Sequence, residues 1–295
     1  MAMSLLFKII RILAGFIFSL LIILGLITLI SNTLITTSHY SIRSAKLPAA
    51  FEGYKIIQLS DLHNKELGED NGRLLKKIAA EEPDIIVMTG DMTDDLGPAN
   101  QVFLNLAQQL VESYPVYYIV GNHEQNFEQA GLEKLCDTLR EMGLVVLDNQ
   151  MVRLEKDGQS INLYGMWFNL RYYRDLTSQD SADYYFDREH MEEILGYCNR
   201  EAYNILLSHN PVYFDTYCEW GADLTLSGHI HGGMIRIPFK GGLFSPEKEL
   251  FPNYDAGLFT KAEQAMIVSR GLGNGTIGFR FWNCPDLVSI TLHQQ

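Results

Sequence analysis

The chain has 295 residues, which is enough for one or two domains with a substantial hydrophobic core. It carries 23 basic and 36 acidic side chains, for a formal net charge of −13, and the part that follows Glu52 is more acidic still. Such a body lacks the basic surface that binds a nucleic-acid backbone, so we expect no nucleic-acid partner. The four cysteines form no C-x-x-C pair, which argues against cysteine-bound zinc.

The N-terminal segment is predicted to be a membrane anchor. No charged side chain occurs between Arg11 and Arg43, and the 19 residues from Ile12 to Ile30 match the length that crosses a hydrocarbon core of about 30 Å. A cleavable signal peptide is the alternative, but its apolar region would be shorter and no small-x-small cleavage pattern follows. We therefore predict an anchor over residues 1–32, a polar linker over 33–53 and a folded domain over 54–295.

The orientation of this anchor depends on the basic residues near its two ends. Lys8 and Arg11 precede the span, and Arg43 and Lys46 follow it, so the two sides are almost balanced. The N-terminal amine favours a cytoplasmic N-terminus. We therefore predict a single-pass protein of the cell membrane with its folded domain on the extracytoplasmic face.

Beyond residue 53, short apolar runs alternate with segments of helical period. The runs cover residues 54–60, 84–89, 116–120, 204–208, 223–227 and 265–269. Apolar residues recur at helical spacing over 71–82 and 101–113. This alternation predicts an α/β domain whose central strands are buried on both faces. The more polar runs at 151–155 and 161–166 predict that the second half is partly antiparallel.

Polar clusters follow five of these runs. They are Asp61 with His63, Asp91 after Gly90, Asn122 with His123, His209, and His229 with His231. Functional groups in open α/β sheets gather at the carboxyl ends of the strands, so we expect these clusters to converge. Imidazole, carboxylate and amide ligands without thiolate suit Mn, Fe, Zn or Co. Because the groups outnumber the ligands of one ion, they favour two ions that share a carboxylate.

Each cluster taken alone has a simpler interpretation. D-x-H is compatible with a turn, G-N-H-E with a helix cap at Asn122, and His209 with a buried core histidine. Two histidines in G-H-x-H are compatible with a loop, although an extended backbone would point His229 and His231 to the same face. Their ordered recurrence after buried strands favours the metal site.

The motifs D-x-H, G-D, G-N-H-E, a lone histidine and G-H-x-H, in this order, resemble those of the calcineurin-like metallophosphoesterase superfamily. The resemblance covers about residues 54–293. With the preceding span, it is similar to the bacterial membrane-associated branch, which includes phosphodiesterases acting on lipid or UDP-sugar-lipid substrates. It implies a four-layer α/β/β/α sandwich with a dimetal site at its strand ends, preceded by one transmembrane helix.

The resemblance also implies a role for each candidate residue. The first ion would be held by Asp61, His63 and His231, the second by Asn122, His209 and His229, and Asp91 would bridge them. His123 would protonate the leaving oxygen. The implied cofactors are two divalent metal ions, with manganese favoured among Mn, Fe, Zn and Co.

The activity that this resemblance implies is hydrolysis of a phosphodiester or pyrophosphate bond, with a lipid-linked substrate in view of the anchor. Two alternatives stay open. One is a phosphomonoesterase or protein phosphatase with the same metal groups, and the other is a membrane-tethered scaffold that binds metal for structure only.

Two loops are further candidates for substrate contact. The segment 165–178 offers Asn169, Arg171 or Arg174 to a phosphate or head group, although an aromatic-rich loop is also typical of packing. The segment 237–259 is long and glycine-rich, as functional loops often are. It has four phenylalanines that would meet a lipid or cover a sheet edge, namely Phe239, Phe244, Phe251 and Phe259.

Overall fold

The computed structural model describes residues 2–94, 96–97, 100–173, 185–275 and 278–295. Its helices are α1 (Ala2–Thr33), α2 (Gly72–Glu81), α3 (Gln101–Val111), α4 (Asn122–Gln125), α5 (Gln129–Met142), α6 (Arg188–Leu195) and α7 (Phe214–Trp220). Its strands are β1 (Thr36–Ser44), β2 (Tyr54–Leu59), β3 (Ile85–Met88), β4 (Val116–Tyr118), β5 (Val145–Val146), β6 (Gln150–Lys156), β7 (Gln159–Met166), β8 (Asn204–Ser208), β9 (Leu224–Ser227), β10 (Arg236–Ile237), β11 (Gly241–Gly242), β12 (Gly257–Lys261), β13 (Gln264–Val268) and β14 (Asp286–Gln294).

Two six-stranded sheets dominate the described domain. The first has the order β1-β14-β2-β3-β4-β5, with β2 to β5 mutually parallel and β14 antiparallel to β2. The second has the order β12-β13-β9-β8-β7-β6, with parallel pairs at its centre and antiparallel pairs β12/β13 and β6/β7 at its edges. The predicted mixture of parallel and antiparallel strands is therefore confirmed.

Alternate side chains of the central strands face different cores. In β2, Ile57 packs with the helices on the outer face of the first sheet, whereas Ile56 packs between the two sheets. On the outer face of the second sheet, Met191 of α6 and Trp220 of α7 form a further core with Leu206 of β8. The resulting layers are helix, sheet, sheet and helix, which confirms the predicted α/β/β/α sandwich.

Residues 33–53 belong to the folded domain, so the prediction of a linker is wrong. All nine residues of β1 pair in parallel with β14, from Thr36 opposite Asp286 to Ser44 opposite Gln294. Ile35 and Ile42 are buried with the cores. The polar sequence of β1 reflects its position at the edge of the sheet, where most of its side chains meet solvent.

The N-terminal helix α1 is apolar and its side chains are largely exposed. Its segment Leu5–Thr33 is long and apolar enough to cross a membrane, by length and composition. The last turn is attached to the domain, since the Asn32 side-chain amide donates to the Arg280 carbonyl at 2.8 Å and the Arg280 N–H donates to Asn32 Oδ1 at 3.0 Å. This pair of hydrogen bonds attaches the C-terminal end of α1 to the folded domain.

Candidate metal centre

The first group of predicted ligands comes from the loops after β2 and β9. Donor atoms of Asp61, His63 and His231 all lie within 4.8 Å of one another. The Nε2 atoms of His63 and His231 are 3.0 Å apart, and Asp61 Oδ1 is 3.4 Å from His231 Nε2. The structure therefore brings these three side chains together.

The second group comes from the loops after β3, β4, β8 and β9. Donor atoms of Asp91, His209 and His229 lie within 4.8 Å of one another, with His209 Nε2 3.1 Å from Asp91 Oδ2. Asn122 lines the same cleft as Asp91 and His229. Its Oδ1 is buried and accepts no hydrogen bond from the described residues, so this oxygen suits a further ligand.

Asp91 lies between the two groups. Its Oδ2 is 3.1 Å from His209 Nε2 in the second group and 3.9 Å from His63 Nε2 in the first. Burial raises the pKa of Asp91, but the neighbouring His209 and His63 more than offset this effect and keep the pKa well below its usual range. The Asp91 carboxylate is thus an anion that both groups share.

The donor set fits divalent metal ions. Nitrogen and oxygen ligands at about 2.0–2.2 Å from one ion lie on the order of 3–4 Å from each other, and both groups have contacts in this range. The donors are imidazole, carboxylate and amide, which suit Mn, Fe, Zn or Co. The orphaned Asn122 oxygen adds an unpaired acceptor at the second group.

Five of these side chains are carried on left-handed backbone. Positive φ values occur at Asp61, His63, Asp91, His229 and His231, between 48° and 70°. For a non-glycine residue such a conformation costs roughly 1–3 kcal/mol. It persists where the surrounding structure enforces it, as at functional sites. The backbone strain therefore coincides with the candidate ligands.

The backbone at G-H-x-H is a turn and not the extended segment that would point both imidazoles to the same face. Between the left-handed His229 and His231, Ile230 has right-handed helical angles, and its N–H donates to the Gly228 carbonyl at 2.8 Å. An extended chain would carry His231 away from the end of β9. The turn instead keeps both imidazoles at that end, each in a different group.

Two glycines permit the loops to approach one another. A Cβ on Gly121 would lie 2.2 Å from Asp91 Oδ1, and one on Gly228 would lie 2.4 Å from Asp61 Oδ2. A larger residue in place of the first glycine of G-N-H-E or of G-H-x-H would therefore displace a carboxylate of the site. This contact explains in physical terms why glycine precedes Asn122 and His229.

The buried Glu124 side chain fixes the loop that carries Asp91. Its carboxylate accepts hydrogen bonds from the backbone N–H groups of Asp91, Met92 and Gly121 at 2.7–3.0 Å. Asp91 Oδ1 in turn accepts from the His123 N–H at 2.8 Å. Glu124 thus joins the loops after β3 and β4 in a single arrangement.

Three of the histidines have a hydrogen-bond partner on the nitrogen that faces away from the other ligands. His63 Nδ1 contacts Asp94 Oδ1 at 2.5 Å, His209 Nδ1 contacts the Thr89 carbonyl at 2.6 Å, and His229 Nε2 contacts the buried Glu247 carboxylate. Such outer partners fix the tautomer and ring orientation of metal-binding histidines. This arrangement leaves Nε2 of His63 and His209, and Nδ1 of His229, for an ion.

His123 lies in the wall of the cleft, with a donor atom within 4.8 Å of donor atoms of His63 and Asp91. Its side chain is 30% exposed, Nδ1 is 2.9 Å from Asp94 Oδ1, and Nε2 is 4.0 Å from Asp91 Oδ2. Burial lowers the pKa of His123, but the hydrogen bond to Asp94 and the nearby carboxylates outweigh it and raise the pKa to about 9. The imidazole is therefore oriented by Asp94, and the surrounding carboxylates favour its protonated form.

With this geometry in view, comparison with known proteins decides the family. The family model described as calcineurin-like phosphoesterase matches residues 54–233, which is more than half of the chain. The chain belongs to the calcineurin-like phosphoesterase family. The predicted superfamily is thus confirmed. Its members are metal-dependent phosphoesterases, and the described residues of this chain include groups of histidine and aspartate that could hold metal ions.

Curated members of the family match along most of this chain. The uncharacterized metallophosphoesterase YkuE of Bacillus subtilis is 29% identical over 88% of this chain and 86% of its own length. The phosphodiesterase YaeI of Escherichia coli is 27% identical over 81% of this chain and 82% of its own. A zebrafish (Danio rerio) protein named transmembrane protein with metallophosphoesterase domain is 26% identical over 84% of this chain and 55% of its own.

Three residues that contact the site lie outside the sequence motifs that predicted it. Asp94 follows Asp91 by three residues, and only its place in the same loop hints at a role. Tyr173 lies edge-on to His229, with ring centroids 5.0 Å apart. Glu247 lies beyond the matched segment. Sequence reasoning missed all three, because their positions depend on how irregular loops fold.

The two candidate loops have different positions relative to the phosphoesterase cleft. Phe244, Pro246 and Lys248 line the cleft, so the second loop forms one of its walls. Asn169 and Arg171 instead line a separate cavity with His190 of α6. Arg174 lies outside the described residues. Among the described candidates of the first loop, the predicted phosphate contact is therefore not at the metal centre.

Proposed function

We propose that this chain is a membrane-anchored dimetal hydrolase that cleaves a phosphodiester or pyrophosphate bond. The observation that carries the proposal is the position of Asp91, whose carboxylate is shared by the two groups of donor atoms. In the proposal, Asp61, His63 and His231 hold the first ion, Asn122, His209 and His229 hold the second, and Asp91 contacts both. Bound divalent ions would neutralise phosphoryl oxygens and promote deprotonation of the attacking water.

The residues of the chain supply the rest of the chemistry. His123 lies in the cleft wall with Nδ1 bound to Asp94, so its Nε2 proton is directed toward the cleft. In the proposed reaction this proton passes to the leaving oxygen when the ester bond to phosphorus breaks. General acid catalysis of this kind contributes typically about 10²–10⁴-fold in rate.

A diester or pyrophosphate substrate is favoured over a monoester. The cleft has an apolar wall of Met234, Phe244 and Pro246 beside the charged donor atoms. A second substituent on phosphorus would contact this wall, whereas a monoester would leave it in water. The name of the Escherichia coli relative, a phosphodiesterase, agrees with this preference.

The proposed location is the cell membrane, with the folded domain on the extracytoplasmic face. The 29-residue apolar helix supports the anchor, and the name of the zebrafish relative refers to a transmembrane protein. The excess of basic groups on the N-terminal side depends on the terminal amine, so the orientation is a proposal from charge alone.

Turnover of matched model esters tests this function. Full-length protein in detergent is stripped with a chelator, reloaded with Mn²⁺, and given bis(p-nitrophenyl) phosphate or p-nitrophenyl phosphate. We expect faster turnover of the diester, loss of activity on chelation, and recovery with metal. Faster turnover of the monoester would overturn the diester preference. Inactivity toward both esters with Mn²⁺, Fe²⁺, Co²⁺ and Zn²⁺ would instead favour a metal-binding scaffold.

A further inference from the structure

Large apolar side chains are exposed beside the end of α1. Trp282 is 53% exposed and Phe279 42% exposed. They flank Arg280, whose backbone N–H and C=O are both hydrogen bonded to the Asn32 side chain in the last turn of the helix. Since residues advance by at most about 3.6 Å each, both aromatic residues begin within about 7 Å of Arg280.

A second segment extends this exposed surface. The hairpin formed by β10 and β11 carries the completely exposed Phe239 at its turn, and the Arg236 N–H of β10 donates to the Phe281 carbonyl at 3.0 Å. Lys240 Nζ lies 5.2 Å from the centre of the exposed Phe251 ring. We name this surface the apolar rim, which consists of Phe239, Leu250, Phe251, Phe279 and Trp282.

Part of the rim belongs to the loop that walls the metal cleft. Phe244 and Pro246 line the cleft together with His123 and Asn122, whereas Leu250 and Phe251, a few residues later, are exposed on the rim. The Phe251 N–H donates to the Leu243 carbonyl at 3.0 Å, which joins the two sides of the loop. Whatever contacts the rim therefore lies next to the mouth of the cleft.

The length of the span determines where the rim lies relative to a bilayer. The uncharged helix from Ile12 to Ile30 is about 28 Å long at 1.5 Å per residue, close to the hydrocarbon thickness of about 30 Å. Asn32 is two residues further along α1, about 3 Å beyond the hydrocarbon. Its hydrogen bonds to Arg280 consequently lie at the level of the lipid head groups, and so does the adjacent part of the rim.

We propose that the apolar rim is seated in the head-group layer of the bilayer that α1 crosses, so that the cleft takes a phosphodiester carried on a lipid. The inference rests on the proposed anchor and phosphodiesterase function. Tryptophan and phenylalanine side chains suit this layer because it solvates both their rings and their polar neighbours. The Lys240 ammonium group, which lies over the Phe251 ring, would place a positive charge beside the lipid phosphates.

The chain has a built-in probe of this seating. Of its three tryptophans, Trp220 is buried, Trp167 is half-buried next to the Asn149 loop, and Trp282 belongs to the rim. The tryptophan fluorescence of full-length protein is measured in phosphatidylcholine vesicles and in vesicles that contain lipids brominated near the head group. We expect quenching of tryptophan fluorescence that is largely lost in Trp282→Phe. Equal quenching of the two proteins would overturn the seating.

A matched pair of substrates tests the lipid-linked ester. Hexadecyl p-nitrophenyl phosphate in vesicles and soluble methyl p-nitrophenyl phosphate share the same leaving group. Phe239→Ser and Trp282→Ser should lower turnover of the hexadecyl ester by about tenfold and leave that of the methyl ester unchanged. Tyr197→Ser is the control, because Tyr197 is an exposed aromatic residue that follows α6 and does not belong to the rim. Rim variants that hydrolyse both esters like the wild type would overturn the substrate assignment.

The two experiments also separate this inference from the proposed function. If neither ester is hydrolysed by wild-type protein, the phosphodiesterase proposal fails, while the quenching of Trp282 still decides whether the rim meets lipid. If quenching is absent and a Phe239→Cys variant forms a disulfide between two chains on oxidation, the rim is an interface between copies of the protein, and the lipid proposal is overturned.

Discussion

Two N-terminal truncations that differ by only twelve residues should differ strongly in stability. A protein that starts at residue 34 lacks α1 but keeps β1, whereas one that starts at residue 46 lacks both. All nine residues of β1 pair with β14, and Ile35 and Ile42 are 4% and 7% exposed. We expect the longer fragment to fold as a soluble domain and the shorter one to be severely destabilised.

The magnitude follows from the buried side chains. Burial of an isoleucine side chain is worth about 1.5–3 kcal/mol, so loss of two removes roughly 3–6 kcal/mol. This is a large part of the 5–15 kcal/mol by which domains are typically stable. The loss of β1 also exposes the edge of β14 to pairing with other chains, which promotes aggregation.

Thermal unfolding followed by circular dichroism measures this effect. For a domain of about 250 residues, each kcal/mol shifts Tm by about 2–4 °C, so the shorter fragment should melt at least about 6 °C lower or fail to stay soluble. Equal Tm values for the two fragments would refute the assignment of β1 to the folded domain. A longer fragment that is itself insoluble would instead contradict the view that α1 is dispensable for folding.

The remaining predictions concern the site. Glu247→Gln should weaken binding of the second ion by about 10–100-fold, because Glu247 orients His229, whereas Glu249→Gln in the same loop should bind Mn²⁺ like the wild type in calorimetric titration. Similar affinities for both variants would exclude this role of Glu247. His123→Ala should lower turnover by about 10²–10⁴-fold with both ions retained, and the loss should be largest for alkyl leaving groups of high pKa. Wild-type hydrolysis of an alkyl diester by this variant would exclude His123 as the acid.

The buried strands could be predicted because their sequences carry a local signal. Strand β3 is a continuous apolar run and β8 has three apolar residues in a row at its centre, as expected for strands buried on both faces. In contrast, β1 has a polar sequence and gains its structure from β14, whose residues follow it by about 250 positions. A local pattern contains no information about so distant a partner, so β1 resembles a linker in the sequence.

The candidate site divides in the same way. The residues at strand ends could be located from sequence, because the ends of β2 and β3 in the first sheet and of β8 in the second bring Asp61, Asp91 and His209 together. The backbone turn at His229 could not, because it depends on contacts of Gly228 with the loop after β2. Glu247 reaches His229 from an irregular loop 18 residues later, and no periodic pattern predicts where such a loop folds.

The central claim is that one carboxylate, Asp91, serves two metal ions, and metal content measures it most directly. Protein stripped of metal and reconstituted with Mn²⁺ is analysed for manganese per chain, together with Asp91→Asn and His229→Ala. The account predicts about two equivalents in the wild type, about one in His229→Ala, and weakened binding of both ions in Asp91→Asn. A wild-type content that stays at zero under varied metal loading, or an Asp91→Asn protein that loses one ion and binds the other unchanged, would contradict it.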